Sequence, residues 1–124
     1  MTEGVGIDLV EIDRIAEKIN RDIGFRELVF SKNEIEYCEK KTKKHEHYAA
    51  RFAAKEAFLK ALGTGWVSGT AFNEIEITND ENGKPFITLL GLTLATISKL
   101  EIKKISVSLT HINSMAAAVV ILEK

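Results

Sequence analysis

A single domain of mixed helices and strands is what this sequence predicts, on three observations. Nothing between Phe52 and Leu62 breaks a helix, and the stretch is rich in Ala, Leu, Lys and Glu, the strongest helix formers. Past Gly65 the apolar period changes to two, the mark of half-buried strands. Between two such runs an Asn82-Gly83 pair marks a hairpin turn. A chain of 124 residues suits one domain, 1–124, with one modest core.

Composition narrows the classes of function. With 45% hydrophobic and 28% charged residues the chain has ordinary globular usage, which argues against disorder. A net charge of −1 argues against a general nucleic-acid binder and against a polybasic membrane module. No apolar run approaches the roughly 20 residues of a membrane span. The N-terminus lacks the basic-then-apolar order of a secretory signal, and the single Cys38 excludes an intrachain disulfide. Both point to a cytoplasmic protein. Cys38 itself reads as a buried structural thiol.

The elements follow in order. Gly4-Val5-Gly6-Ile7-Asp8-Leu9-Val10 reads as a short strand, apolar at 5, 7 and 9, with Asp8 interrupting it on the opposite face. Asp8 suits a solvent-facing or capping residue, or a metal carboxylate delivered by a strand end. From Glu11 to about Asn20, Ile12, Ile15 and Ile19 make the core stripe of an amphipathic helix. Arg14, Lys18 and Arg21 repeat that spacing on another face, as a solvated face or a basic stripe for an acidic partner helix. Gly24 breaks the helix, and Phe25, Leu28 and Val29 begin a second apolar piece. Ser31 and Glu34 form a capping box that opens a helix to about Lys41.

Lys40-Lys41-Thr42-Lys43-Lys44 is a dense basic run, read as a solvated loop able to steer a phosphorylated ligand. His45 and His47 are two apart, so on a helix they point to different faces and do not suit a shared metal. Tyr48 then leads into the central helix of about three turns, which Gly63 closes in a left-handed conformation. Phe72–Ile77 alternates as a strand with Ile75 and Ile77 inward. A turn over 79–85 follows, and Pro85 starts the partner strand through Leu89, where it removes no central ladder bond. A short helix begins near Leu92. Ile105–Thr110 alternates as a strand, His111–Ser114 turns, and Ala116–Leu122 is a nearly continuous apolar strand. Such a run is buried on both faces or covered by another subunit.

One spot carries chemistry. Lys55, Glu56 and Lys60 are charges set in an otherwise small and apolar helix, and Glu56 and Lys60 share a face below Gly63-Thr64-Gly65. A carboxylate suits a hard divalent cation, a lysine suits a phosphate, and glycines let backbone N–H groups approach one closely. Together they describe a metal-bound phosphate ester. On these residues alone, an i,i+4 ion pair worth roughly 0.2–0.5 kcal/mol before a helix-stopping glycine accounts for the pattern as well.

Three separated segments then resemble one family, the holo-acyl-carrier-protein synthases, the short type of 4′-phosphopantetheinyl transferase. They are Gly4–Glu11 with Arg14-Ile15, Phe52–Ala57 with Lys60-Ala61 and Gly63-Thr64-Gly65, and Ser106–His111; Asn82-Gly83-Lys84-Pro85 is also similar. The resemblance runs nearly end to end and in order. It implies an α+β fold, a small antiparallel sheet packed with helices, assembled as a homotrimer with active sites at subunit boundaries. It implies transfer of the phosphopantetheine arm of coenzyme A to a serine of apo acyl carrier protein, for fatty acid biosynthesis, with adenosine 3′,5′-bisphosphate released. By motif position, Asp8 and Glu56 would bind Mg²⁺ and Lys60 would contact the pyrophosphate. His111 would lie near the coenzyme phosphates or adenosine, and Gly63-Thr64-Gly65 with Asn82, Gly83, Lys84 and Pro85 would line the coenzyme site. Arg14 and Arg21 would dock the acidic helix of the carrier. Gly24 stands where family members carry a further basic residue, which shifts that expectation toward Arg21 and Arg26.

Glu56 is the expected base for the serine proton and Asp8 its rival. Two other classes fit some of these residues: a Mg²⁺-dependent nucleotide pyrophosphate hydrolase, and a non-enzymatic trimer that binds coenzyme A. The first leaves the basic stripe idle. The second predicts coenzyme binding without Mg²⁺ and no change in the carrier.

Overall fold

Strand β1, Thr2–Glu11, opens the chain and runs into helix α1, Ile12–Arg21. The computed structural model describes every residue from Met1 to Lys124. Gly24, at φ 86°, starts the five-residue helix α2, Phe25–Val29. The capping box is present as predicted: Ser31 Oγ accepts from the Glu34 N–H and Glu34 Oε1 accepts from the Ser31 N–H, opening helix α3, Lys32–Glu39. Helix α4, Lys44–Leu62, is the longest element at 19 residues and ends at Gly63 with φ 81°. A 3₁₀ turn at Phe72–Glu74 leads to strands β2, Ile75–Asn79, and β3, Pro85–Leu89. Helix α5, Gly91–Ser98, and strands β4, Lys104–His111, and β5, Met115–Glu123, complete the chain.

The strands form two antiparallel units, a three-stranded sheet in the order β1-β5-β4 and the separate hairpin β2-β3. Helix α4 lies across the inner face of the larger sheet. Its many alanines, Ala49, Ala50, Ala53, Ala54, Ala57 and Ala61, are all buried. Small residues on the strand side match them: a Cβ at Gly6 or Gly4 would run into the carbonyls of Ala57 or Ala61. Here glycine is required by close approach of two backbones. Phe30, Tyr48, Phe58, Ile15, Ile75, Ile77, Val120 and Leu122 fill the core around this contact. No helix is long and apolar enough to cross a membrane.

Four details differ from the sequence reading. The central helix begins at Lys44, so His45, Glu46 and His47 belong to its first turns. Residues 72–74 form a 3₁₀ turn, closed by the Glu74 N–H donating to the Ala71 carbonyl, and the Phe72 carbonyl accepts from Lys55. In β1 the apolar side chains face out: Val5, Ile7 and Leu9 are 60%, 67% and 61% exposed, while Asp8 turns in toward α4. Gly4 and Gly6 favour this facing, since at those two positions α4 leaves no room for a side chain. Strand β5 is fully buried on one face only within the protomer, through Ala116, Ala118, Val120 and Leu122, so of the two readings of its apolar run, burial on both faces is not met.

Candidate functional site

The inward turn of Asp8 decides the site. From β1 its carboxylate reaches Lys60 on α4, whose Nζ donates to Asp8 Oδ1 at 3.0 Å and to the Ile7 carbonyl at 3.1 Å. Glu56 stands one turn before Lys60 and shares with Asp8 a cavity of about 380 Å³, along with Arg14, Lys18, Phe52 and Glu11. Burial raises the Glu56 carboxyl above the ordinary carboxylate range, the neighbouring Asp8 adds to the rise, and Lys60 opposes it. Two carboxylates close enough to repel each other are a pair that could hold a hard cation. Arg14 and Lys18 also line their cavity, and the adjacent Lys60 already partners Asp8. No group of three or more His, Cys, Asp and Glu side chains assembles anywhere in the chain. Asp8 and Glu56 are two carboxylates here that could hold a hard divalent cation such as Mg²⁺.

Beyond Lys60, α4 ends and Gly63-Thr64-Gly65 forms an exposed loop. Gly63 and Gly65 have φ of 81° and 65°, with open space where a side chain would stand. The loop is thus placed one turn past Lys60, as the sequence predicts.

The other predicted residues lie elsewhere in the protomer. His111 ends β4, with Nε2 3.5 Å from Glu46 Oε1 in the first turn of α4. It lines a second cavity of about 160 Å³ with Glu46, His47, Arg51 and Asn79. The turn carrying Asn82, Gly83, Lys84 and Pro85 belongs to this end: Asn79 Nδ2 donates to the Gly83 carbonyl at 3.0 Å, and Asn79 pairs with Pro85. Asp80 Oδ1 holds that turn by accepting from the Asn82 and Lys84 N–H groups at 2.8 and 2.9 Å. Glu46 and Glu56 are ten residues apart on α4, about 15 Å along the helix. One protomer therefore keeps the two groups of predicted residues apart, each at its own cavity.

Arg51 is the residue that the sequence reading passed over. It is 2% exposed, donates to Asn79 Oδ1 at 2.7 Å, and stacks 4.3 Å from the Tyr37 ring centre. It has no carboxylate partner, and its Nε is buried without any. Burial and the adjacent Arg51 and Lys41 push the His47 imidazole below its usual value. This second cavity thus holds a buried guanidinium that has no ion pair, beside His47 and His111, with Glu46 as its one carboxylate. A charge opening an apolar helix was the visible signal.

The three arginines expected at a docking surface differ. Arg14 is exposed, has no ion pair and lines the first cavity. Arg21 pairs with Glu17 at 2.7 Å on the surface. Arg26 is held by Glu27 at 2.7 Å and Glu39 at 3.2 Å.

A family model described as the 4′-phosphopantetheinyl transferase superfamily matches residues 4–120. Among curated relatives, a holo-[acyl-carrier-protein] synthase of Syntrophus aciditrophicus is 49% identical over 99% of this chain and 97% of its own. One from Cytophaga hutchinsonii is 47% identical over 100% and 99%. Among solved structures, the Neisseria meningitidis holo-[acyl-carrier-protein] synthase superposes with a TM-score of 0.91 at 30% identity, covering all of both chains. The Helicobacter pylori enzyme, solved in complex with coenzyme A, gives 0.84 at 33% identity, covering 96% of this chain and 99% of that one.

Proposed function

This chain belongs to the 4′-phosphopantetheinyl transferase superfamily, and from that premise we propose how its residues carry out the family reaction. The phosphopantetheine arm of coenzyme A passes to a serine hydroxyl of apo acyl carrier protein, releasing adenosine 3′,5′-bisphosphate. The observation that carries this reading is that Asp8 of β1 and Glu56 of α4 share one cavity, which Arg14 also lines, while Lys60 reaches Asp8 from the next turn of α4.

Phosphoryl transfer of this kind is mostly positioning and electrostatic stabilisation. Asp8 and Glu56 would hold Mg²⁺, which when bound neutralises charge developing on the phosphate oxygens. Lys60 presents its ammonium to the same oxygens as the leaving bisphosphate becomes negative. Glu56 accepts the serine proton. It lines the cavity, while Asp8 is already engaged by Lys60. The Gly63-Thr64-Gly65 loop offers backbone N–H groups one turn beyond. The carrier docks its acidic helix on α1 through Arg14 with Lys18 and Arg21; Arg26 is held by its own carboxylates and contributes less.

The second half-site, His111, Arg51 and Asn82 to Pro85, takes the nucleotide end of coenzyme A. Homotrimer assembly brings this half of one copy beside the Asp8 half of the next. The outward row Val5, Ile7 and Leu9, beside Val119 and Ile121 of β5, supports this reading because it is an apolar sheet face that a second copy would cover. In light scattering of the eluted protein, Ile7→Glu is expected to give a monomer that has lost transfer. A trimer that persists would refute the assignment of this face.

The decisive experiment is the intact mass of an apo acyl carrier protein incubated with this protein, coenzyme A and Mg²⁺. A gain of one phosphopantetheine, abolished by EDTA, is expected. An unchanged carrier alongside Mg²⁺-dependent breakdown of coenzyme A would replace the transferase with a pyrophosphate hydrolase.

A further inference from the structure

Lys55 and Glu34 take no part in either half-site, yet both side chains are 0% exposed. An ammonium has three N–H donors, and each finds an acceptor in a different element. They are Glu34 Oε1 on α3 at 2.7 Å, the Phe72 carbonyl of the 3₁₀ turn at 2.8 Å, and the Ile75 carbonyl at the start of β2 at 2.6 Å. Glu34 in turn accepts from the Ile77 N–H, mid-strand, at 2.9 Å. Four residues before Lys55, on the same face of α4, Arg51 holds Asn79 at the far end of β2. Strand β2 is therefore pinned to α3 and α4 at its start, middle and end.

That pinning has a purpose that apolar burial cannot serve. Ile75 and Ile77 bury the hairpin in the core, but burial is non-directional and does not fix where along α4 the hairpin sits. Hairpin β2-β3 is not hydrogen-bonded to the larger sheet, and a two-stranded unit is marginal by itself. Directional hydrogen bonds from a buried ammonium set its position. The same ammonium is on the residue before Glu56, so it also fixes the rotation of α4. Through Phe72, whose ring stacks 6.0 Å from that of Phe52, it reaches the lining of the first cavity.

We propose that Lys55 and Glu34 are a positioning pair that sets the tip of the β2-β3 hairpin relative to α4, and so determines affinity for coenzyme A without touching it. This rests on the assignment of Asn82–Pro85 to the coenzyme. Removing one buried charge strands the other, so the main probe is the full-length double variant Lys55→Met with Glu34→Gln. Glu34→Gln alone, which keeps the shape of the site, replaces it if the double variant does not fold.

Amide hydrogen exchange, which needs no activity, is expected to speed about tenfold or more across residues 75–89. Strands β1, β4 and β5 should change little. In transfer assays well below the melting temperature, KM for coenzyme A should rise about tenfold while KM for the carrier holds within about twofold. Equal acceleration of exchange in hairpin and sheet would overturn the proposal, since the pair would then stabilise the whole fold alike. So would a loosened hairpin with KM for coenzyme A unchanged. A wild-type protein that left the carrier unmodified would count against the proposed function, and the exchange comparison would still decide the hairpin clamp.

Discussion

Lys55 and Lys60 stand five residues apart on α4, and each meets a carboxylate at 3.0 Å or less. Lys55 is sealed from solvent, with every donor bound to the protein. The Lys60 side chain is 54% exposed and is held only by Asp8 and one carbonyl. The first ammonium has nowhere to go. The second keeps half its surface in water while its Asp8 partner is 15% exposed, so it is the one of the two that could turn from its carboxylate to a phosphate. Under the proposed function, the same chemical group serves architecture where it is dry and chemistry where it is wet.

Breaking the buried pair should have the largest effect on folding. Lys55→Met by itself leaves the Glu34 carboxylate buried without a counter-ion, which typically costs about 3–5 kcal/mol. Urea unfolding should register most of this, and a loss below about 1 kcal/mol would mean that Glu34 takes up a proton or finds water. Lys60→Met should behave in the opposite way. Transfer is expected to fall about 10²–10³-fold, as when a fixed charge at a developing anion is removed, with the unfolding midpoint nearly unchanged. If folding suffers more than turnover, the contrast between the two lysines fails.

Glu56→Gln sharpens the comparison, because one substitution should separate stability from activity. Transfer should fall below a tenth of wild type if Glu56 is the base and a metal ligand. The folded protein keeps the Glu56 proton to higher pH than the unfolded chain does, so this group weakens the fold as pH rises above the ordinary carboxylate value. The variant should therefore melt higher than wild type at pH 7, and the gain should vanish below about pH 4, where both states are protonated. Arg14→Ala is expected to give the smallest change, a several-fold rise in KM for the carrier that shrinks as salt is added. Its dependence on salt is the measurement to make, since an uncharged contact would lose affinity equally at all ionic strengths.

Local chemistry made part of this legible from sequence. The Ser31–Glu34 box, the stop at Gly63 and the Asn82-Gly83 turn each depend on neighbours within a few residues, and each is where it was expected. The convergence of Glu56 and Lys60 follows from helical spacing alone. The facing of β1 was not legible, because a period of two distinguishes two faces without saying which is inward. The apolar side of that strand is its outer one, since α4 approaches too closely for anything but Gly4 and Gly6. Arg51 and the partner of Lys55 were hidden for another reason. Their acceptors, Asn79 and Glu34, lie 28 and 21 residues away, where no periodic pattern reaches.

By itself the sequence determined the α+β class, the order of its elements and the residue types a phosphoryl-transfer site requires, because propensity, capping and motif spacing are local properties. Only the tertiary structure decided that Asp8 faces Lys60, that Lys55 is sealed from solvent while Lys60 is half exposed, and that His111 stands apart from Asp8 and Glu56. Those outcomes depend on which surfaces exclude water when helix and sheet close together, and burial is a property of the assembled chain.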